Sequence, residues 1–463
     1  MAPLRHWWIP ENSRTIMALG MLTCAQADID NRNRIYGSVV LSNFLRPAPP
    51  LECDKRSKQH HPMHLTFEET LKNTNIMLLM MGIPPCEETY PDGVIAAIRR
   101  NLGFISSFLL LSYTTFGELI YLLQMFEREV NFLEVTFQAP CIGYCIIAVL
   151  KMIILAGRRN MIAELVAMFR TKWSQAIVHD EHWKVCEDTM KPAIRVTSVT
   201  ALVNVVMGIS FTVLPIAEMI YHHYYTGSWN RQLAFNIWWP FDVLSGAKYF
   251  WFVYPMYVVI GFTGIIIHMA FDCLFCILAA HLCMHFRILE HNLTHVVEVE
   301  TRWEDSNDGN MSRLQTTVVN HQALIGCSVF MQSVFGNALF VNFLGSSIII
   351  CIQAFMITTV SGYTLVKFIL FILCFLIELL MLCAYGEDIV QSSEALINAA
   401  YGCQWYEESK PFHRTVLQII HRSQQPVLLT AWKIWPIQMS TFSRILQASW
   451  SYFTLLKTVY GDN

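Results

Sequence analysis

Residues 362–385 read GYTLVKFILFILCFLIELLMLCAY, an almost unbroken apolar run. A helix needs about 20 such residues to cross the hydrocarbon core of a bilayer. Inside lipid a chain must satisfy its own backbone hydrogen bonds, so this run is expected to be helical. Six further segments have the same character: approximately 102–124, 132–156, 196–220, 250–280, 329–357 and 437–460. The sequence therefore predicts an all-α polytopic membrane protein with seven transmembrane helices, of which the last is the most amphipathic.

The composition of the whole chain agrees with a membrane protein. Of 463 residues, 54% are hydrophobic and 14% are charged, whereas soluble domains carry about 25% charged residues. The net charge of −3 gives no indication of nucleic-acid binding. Cys273 and Cys276 form a C-x-x-C pair inside an apolar run, with no second pair after it. We interpret this pair as packing rather than as a metal site.

Positive charges are distributed unevenly between the two sides of the predicted spans. Eleven Lys and Arg residues precede the first span, and a cluster that includes Arg158, Arg170 and Lys184 lies between the second and third. Positive residues favour the cytoplasm. The N-terminus is therefore predicted to be cytoplasmic, an inverted topology relative to G-protein-coupled receptors. The glycosylation sequons at Asn292 and Asn310 would then be cytoplasmic and unused.

The third loop and two helical extensions suggest further organisation. The loop, approximately 221–249, is rich in aromatic residues such as Tyr224 and Trp238. Such residues often mark the membrane interface, so the loop is either an aromatic belt or a lid over a binding pocket. Helical patterns also continue over 281–325 and after the sixth span. We expect these extensions to project into the cytoplasm and pack on one another, which suits an oligomer.

Ionisable residues within the spans are costly in lipid and usually face a bundle interior or an aqueous cavity. His268 and Asp272 are four residues apart in the fourth span, and Glu378 lies in the sixth. A functional role and a satisfied interior pair are both open. Lys151 lies near the end of the second span, where its side chain is expected to snorkel to the interface.

Four histidines, His281, His285, His291 and His295, fall on one face of a helix. Membrane di-iron desaturases use His-x-x-x-His pairs as metal ligands, but they need several such boxes. The other histidine pairs, at 60–61 and 222–223, are predicted to lie on opposite sides of the membrane. We therefore expect a solvated face or a helix contact, and we predict no metal site, no cofactor and no catalytic residues.

Three C-terminal segments resemble the C-terminal signature of insect odorant receptors. They read CAYGEDIVQSSEALINAAYGCQWY at 383–406, KPFHRTVLQIIHRSQQP at 410–426 and IQMSTFSRILQASWSYFTLLK at 437–457. Residues 66–85, TFEETLKNTNIMLLMMGIPP, are similar to the amphipathic segment before the first span in that family. The ending after Leu456 looks unlike the odorant coreceptor, so the resemblance implies a tuning, ligand-binding subunit.

The resemblance implies a subunit of an odorant-gated non-selective cation channel and not an enzyme. It implies a heterotetramer with the shared odorant coreceptor, around one pore for monovalent and divalent cations. The implied location is the plasma membrane of olfactory sensory neurons, with membrane lipid around the helices and no nucleic-acid partner. The alternatives are a G-protein-coupled-type receptor and a membrane di-iron enzyme, which sidedness and metal content would separate from a channel.

By resemblance, the ligand is a small volatile, apolar or aromatic odorant bound in the outer half of spans two, three, four and six. The candidate ligand-binding residues are Phe137, Gln138, Tyr144, Met207, Phe211, Tyr254, Tyr257 and Tyr363. On the last helix, Gln447, Ser451, Leu455 and Val459 recur every four residues. The polar half of this stripe would face hydrated ions, and Leu455 with Val459 would form the gate. An ordinary packing stripe is the alternative.

These inferences divide the chain into five regions. Residues 1–62 are a polar N-terminal extension without a predicted fold. Met63 would be an ordinary start in this family, so we interpret the extension as dispensable or as an upstream gene-model addition, which N-terminal sequencing of the natural protein tests. The other regions are the amphipathic segment 63–98, spans one to four with the outer ligand pocket at 99–285, the cytoplasmic helical anchor regions with spans five and six at 286–436, and the pore-lining helix at 437–463.

Overall fold

The computed structural model describes residues 65–83, 94–127, 132–177, 180–243, 247–297 and 306–460, and the predicted extension over 1–62 lies outside them. Within these ranges the chain is almost entirely helical. The helices are α1 Phe67–Met80, α2 Val94–Glu127, α3 Phe132–Gly157, α4 Arg159–Ala176, α5 Asp180–Thr226, α6 Ala247–Thr294, α7 Ser306–Thr359, α8 Tyr363–Gly402, α9 Lys410–Ser423 and α10 Met439–Tyr460. A short 3-10 helix, Trp405–Glu407, precedes α9, and the antiparallel strands β1 Thr430–Ala431 and β2 Trp435–Pro436 precede α10.

Six of the described helices, α2, α3, α5, α6, α7 and α8, are long and apolar enough to cross a membrane. They coincide with the first six predicted spans. Helix α10 forms where the seventh span is predicted, but its many Ser and Thr residues and the cations Arg444 and Lys457 keep it outside this group. The seventh crossing and the direction of insertion therefore stay predictions.

Helix α6 is the centre of the bundle. In its most apolar stretch, 94% of the residues are buried by other parts of the protein. It packs against α1, α3, α5, α7 and α8. A helix that is surrounded on all sides needs no polar face, which explains why 250–280 is mostly apolar, with His268 and Asp272 as its ionisable residues.

Four helices are much longer than a bilayer crossing. Helices α5, α6, α7 and α8 contain 47, 48, 54 and 40 residues. At 1.5 Å per residue α7 alone is about 80 Å long, against a hydrocarbon core of about 30 Å. The extensions share a separate apolar cluster in which Leu293, Leu314 and Ala400 pack with Phe412 and Val416 of α9. The predicted helical extensions are therefore present, and their cytoplasmic location stays a prediction.

Helix α1 is the amphipathic segment expected before the first span. It begins with a capping box: the Thr66 hydroxyl accepts from the Glu69 backbone N–H, and the Glu69 carboxylate accepts from the Thr66 backbone N–H. These hydrogen bonds lower the pKa of Glu69. The buried face of α1, which includes Phe67 and Leu71, lies against α6.

A tight turn and a close contact determine where α10 starts. Trp432 and Lys433 have φ angles of 50° and 57°, which reverse the chain between β1 and β2. The carbonyl group of Ile437 then lies where a Cβ at Gly386 of α8 would be. Only glycine permits this approach, so Gly386 allows the start of α10 to pack directly on α8.

Candidate functional site

A cavity lies between α2, α3, α5, α6 and α8. Small-molecule pockets usually have mostly apolar walls. The lining residues are Leu111 and Glu118 of α2; Cys141, Tyr144 and Cys145 of α3; Met207, Gly208, Phe211 and Thr212 of α5; Phe235 of the following loop; Ile260, Gly261, Gly264 and Ile265 of α6; and Phe371 of α8. The chemistry of these walls suits a small, largely apolar molecule.

The loop between α5 and α6 covers one end of the cavity. Its Phe235 is part of the cavity wall. The Trp238 backbone N–H donates to the Gly117 carbonyl group at 3.0 Å, and the indole N–H of Trp239 donates to the Tyr257 hydroxyl at 3.1 Å. A Cβ on Gly117 would lie 2.5 Å from Cγ2 of Ile237, so glycine is needed for this close approach. This part of the loop has the placement of a lid.

Three other aromatic residues of the predicted loop lie instead in the last turns of α5. Tyr221, Tyr224 and Tyr225 are exposed on the surface. Their role in an aromatic belt at the membrane interface stays a prediction.

Three of the predicted ligand-binding residues, Tyr144, Met207 and Phe211, line the cavity. Tyr254 and Tyr257 are buried in the adjoining apolar cluster. The Tyr254 hydroxyl donates to the Thr212 carbonyl group at 2.7 Å. These two tyrosines support the wall and the loop rather than forming the cavity surface.

The remaining predicted ligand residues lie elsewhere. The Gln138 amide donates to the Asn236 carbonyl group at 2.8 Å and so ties α3 to the loop. Phe137 packs on Phe368, with a ring separation of 5.3 Å, in a cluster that faces α10. Only the backbone of Tyr363 is described. The structure does not bring Phe137 or Gln138 into the cavity surface, and a ligand role for Tyr363 stays a prediction.

Helix α2 supplies two wall residues, Leu111 and Glu118, that the sequence interpretation missed because it drew the pocket from other spans. Glu118 has an exposed fraction of 0% and faces the cavity. The sequence did carry a signal for Glu118. It is a lone glutamate within an apolar span, and such groups rarely face lipid and usually face the interior of the bundle.

A buried ionic cluster lies beside the cavity, and it corrects the expectation for Lys151. The Lys151 side chain does not snorkel to the interface, because the residue is only 1% exposed. Its ammonium group donates to Asp272 at 2.8 Å and to Glu378 at 2.9 Å, and it lies 3.1 Å from Nδ1 of His268. Asn342 of α7 also donates to Glu378, at 3.1 Å. The interior arrangement considered for His268, Asp272 and Glu378 is thus confirmed, with Lys151 as its cation.

The cavity wall and this cluster are in direct contact. The Tyr144 ring stacks on His268 with a centroid separation of 4.1 Å. Nε2 of the same histidine lies 3.2 Å from the Tyr144 carbonyl oxygen. Tyr144 thus contacts both the cavity and the ionic cluster, so a molecule that displaces Tyr144 would also change its contact with His268.

The predicted histidine face is mainly a helix contact. His281 is buried between Phe67 and Trp173, and its Nε2 lies 2.9 Å from the Thr70 hydroxyl. His285 stacks on Phe169. Over the described ranges, the group of three side chains close enough to share a metal ion is His268, Asp272 and Glu378. The Lys151 ammonium already lies among them, so a cation is supplied by the protein itself.

The stripe predicted to line a pore lies on the outward face of α10. Gln447 and Ser451 are exposed, as are Leu455 and Val459 at 59% and 55%. The opposite face is buried on α7 and α8. There the Ser449 hydroxyl donates to the Ser347 carbonyl group, and Phe453 packs in an apolar cluster. The stripe is therefore not used for packing against the described parts of this chain.

The sequence and the fold of this chain are both similar to those of known proteins. A family model described as 7tm Odorant receptor matches residues 131–450. Putative odorant receptor 85d of Drosophila melanogaster is 26% identical over 394 residues, covering 84% of this chain and 94% of that protein. Putative odorant receptor 92a of the same species is 24% identical over 413 residues, covering 88% and 98%. The insect olfactory receptor OR5 from Machilis hrabei, solved in complex with eugenol, has the same fold, with a TM-score of 0.72, 15% identity, and coverage of 85% of this chain and 98% of that one.

Proposed function

Since the chain belongs to the insect odorant receptor family, we propose that it binds a small volatile odorant in the cavity between α2, α3, α5, α6 and α8. The chain is a subunit of an odorant-gated cation channel. The observation that carries the proposed site is an apolar cavity, bordered by a loop, within a bundle of long apolar helices. Burial of apolar surface in such a site would provide most of the binding energy.

The walls indicate the kind of ligand. Tyr144, Phe211, Phe235 and Phe371 offer aromatic faces, and Met207 offers an adaptable side chain. The OR5 structure of the same fold is in complex with eugenol. A ring-containing volatile is therefore the ligand class that we propose for this chain. Its binding must favour the open state if it is to open the pore.

We assign the pore to α10. The outward stripe of Gln447, Ser451, Leu455 and Val459 is polar at one end and apolar at the other. Since the opposite face of α10 holds it to α7 and α8, the stripe is free to meet other subunits or an ion path. The polar end would face hydrated ions, and Leu455 with Val459 would close the path by excluding water.

The partners follow from the family and from the long helices. We propose that the chain assembles with the odorant coreceptor into a heterotetramer in the plasma membrane of olfactory sensory neurons. The helical extensions and α9 would form the cytoplasmic contacts between subunits. Both sequon asparagines support this sidedness: Asn310 donates from its Nδ2 to Glu408 at 2.7 Å, and the Asn292 amide oxygen lies 2.6 Å from Nε2 of His182. A glycan at either position would break these contacts.

The test is whole-cell current from cells that express this chain with the odorant coreceptor, using a panel of ring-containing volatiles. We expect an inward cation current that requires both chains. A control tuning subunit of known response establishes that the coreceptor works, and surface labelling establishes that this chain is delivered. A current from this chain without the coreceptor would contradict the proposed assembly.

A further inference from the structure

Glu118 is a buried carboxyl group that the protein itself does not satisfy. It lies in α2, is 0% exposed, and faces the cavity. Among the described residues, the one donor that its carboxyl oxygens meet is the weakly donating thiol of Cys145. Leaving a buried polar group without a strong partner lowers the stability of the folded protein, and more so for a charged group. A group of this kind in the wall of a binding cavity calls for a donor on the ligand.

The polar groups around the cavity do not meet this need. The Thr212 hydroxyl donates back to carbonyl groups of its own helix at 3.0 and 3.1 Å. The thiol of Cys145 is the polar neighbour of Glu118, and a thiol is a weak donor. The nearby ammonium group of Lys367 donates instead to the Ala234 carbonyl group and lies over the Phe211 ring.

The Tyr144 hydroxyl is also buried in the cavity wall without a hydrogen-bond partner among the described residues. The cavity thus combines apolar and aromatic walls with two unused oxygen-bearing groups, of which one is acidic. A carboxyl group binds a basic ligand more strongly than a neutral volatile, because a charge-assisted hydrogen bond is about twice as strong as a neutral one.

We infer that Glu118 is the specificity-determining residue of the cavity and that it selects small ring-containing amines; this inference rests on the proposed odorant-binding function. The amine nitrogen binds at the Glu118 carboxyl group, and the ring packs against the aromatic and aliphatic walls. One proton is shared between the nitrogen and the carboxyl oxygen. Whichever atom holds it, the pair is neutral overall, which suits a site with apolar walls.

Three ligands of equal heavy-atom count test the inference: benzylamine, benzyl alcohol and ethylbenzene. We expect benzylamine to activate the channel at the lowest concentration. Glu118→Gln keeps the size of the side chain and removes its acidity. It should raise the half-activating concentration of benzylamine by about 10- to 100-fold, the range set by one hydrogen bond to a charged group. The response to ethylbenzene should change by less than about 3-fold, because its apolar contacts are intact.

A matched control is Glu218→Gln on α5, since Glu218 is also a glutamate of this part of the bundle but does not line the cavity. It should leave the benzylamine response unchanged. Glu118→Met provides a second variant of similar length, in case Glu118→Gln does not reach the surface. Both Glu118 variants should lose the preference for benzylamine over ethylbenzene.

A direct binding measurement separates this inference from the proposed function. The purified complex with the coreceptor is heated with and without benzylamine, and the shift in Tm is recorded. If benzylamine raises the Tm of the wild type but not of the Glu118 variants, the inference holds even when no volatile evokes a current, and only the channel function fails. If benzylamine does not raise the Tm, or if the Glu118 variants respond to it as the wild type does, the inference is overturned, whether or not other volatiles open the channel.

Discussion

Replacing Lys151 by methionine should destabilise the receptor more than any other single loss of a lysine within the described bundle. Lys151 is the cation of the buried ionic cluster, and its ammonium group contacts Asp272, Glu378 and His268 at 2.8 to 3.1 Å. Methionine fills similar volume but leaves two carboxyl groups facing each other without a cation. The free energy of unfolding should fall for that reason and not because of a cavity.

The size of the effect follows from the geometry. The ligand atoms of Asp272, Glu378 and His268 lie within 4.8 Å of one another. Two unit negative charges at that distance repel by about 3.5 kcal/mol at an effective dielectric constant of about 20. Removing one partner of a buried ion pair typically costs about 3–5 kcal/mol, so the two arguments agree. For a chain of 463 residues, this energy corresponds to a fall of about 3 to 5 °C in Tm.

The assay is the loss of the monodisperse chromatographic peak of the detergent-solubilised complex as a function of temperature. Lys172→Met is the matched control, because the Lys172 ammonium donates to a neutral partner, the Asn320 amide oxygen, at 2.7 Å. It should cost about 1 kcal/mol. The combined variant Lys151→Met, Asp272→Asn, Glu378→Gln should recover most of the lost Tm. Equal Tm values for Lys151→Met and Lys172→Met, or no recovery in the combined variant, would refute the electrostatic account.

Two further predictions concern the pore and the lid. Replacing Leu455 and Val459 together with serine should raise the basal current, because polar side chains let water enter the proposed apolar gate. The control Leu373→Ser, at an exposed leucine of α8, should leave the basal current unchanged. An unchanged basal current in the double variant would contradict the gate assignment. Gly117→Ala should place a Cβ 2.5 Å from Cγ2 of Ile237, lift the loop, speed decay of the current after odorant removal, and lower stability by about 1–3 kcal/mol. The additional change Ile237→Ala should reverse these effects, and failure to do so would show that the loop contact is not their cause.

The existence and order of six membrane helices could be predicted, but their lengths could not. The third predicted span began at residue 196, whereas α5 begins at Asp180, and the fifth began at 329, whereas α7 begins at Ser306. Hydropathy reports the part of a helix that lies in lipid. It does not report the continuation of the same helix into water, where polar residues are as helical as apolar ones.

The side chains of the candidate site were only partly predictable. Tyr144, Met207 and Phe211 line the cavity, but Phe137, which is equally apolar, faces the neighbourhood of α10 instead. In an apolar helix the periodic difference between a protein-facing and a lipid-facing side is weak, because both sides are apolar. The sequence showed Glu118 as a lone glutamate in an apolar span, but not that it faces the cavity or that its one donor is a thiol, because both depend on how the helices pack.

The order of amino acids alone is sufficient for the helical architecture, the polar-to-apolar stripe of α10, and the family, because hydrophobic length, helical periodicity and motif spacing are local properties of the chain. That the stripe faces outward was decided by the structure. The pairing of Lys151 with Asp272 and Glu378 arises only in the folded bundle, as do the cavity, the loop over it and the isolation of Glu118. These features join residues more than 100 positions apart on different helices. Their energies depend on distance and on the exclusion of water, and both are set by how α2, α3, α5, α6 and α8 pack around one another.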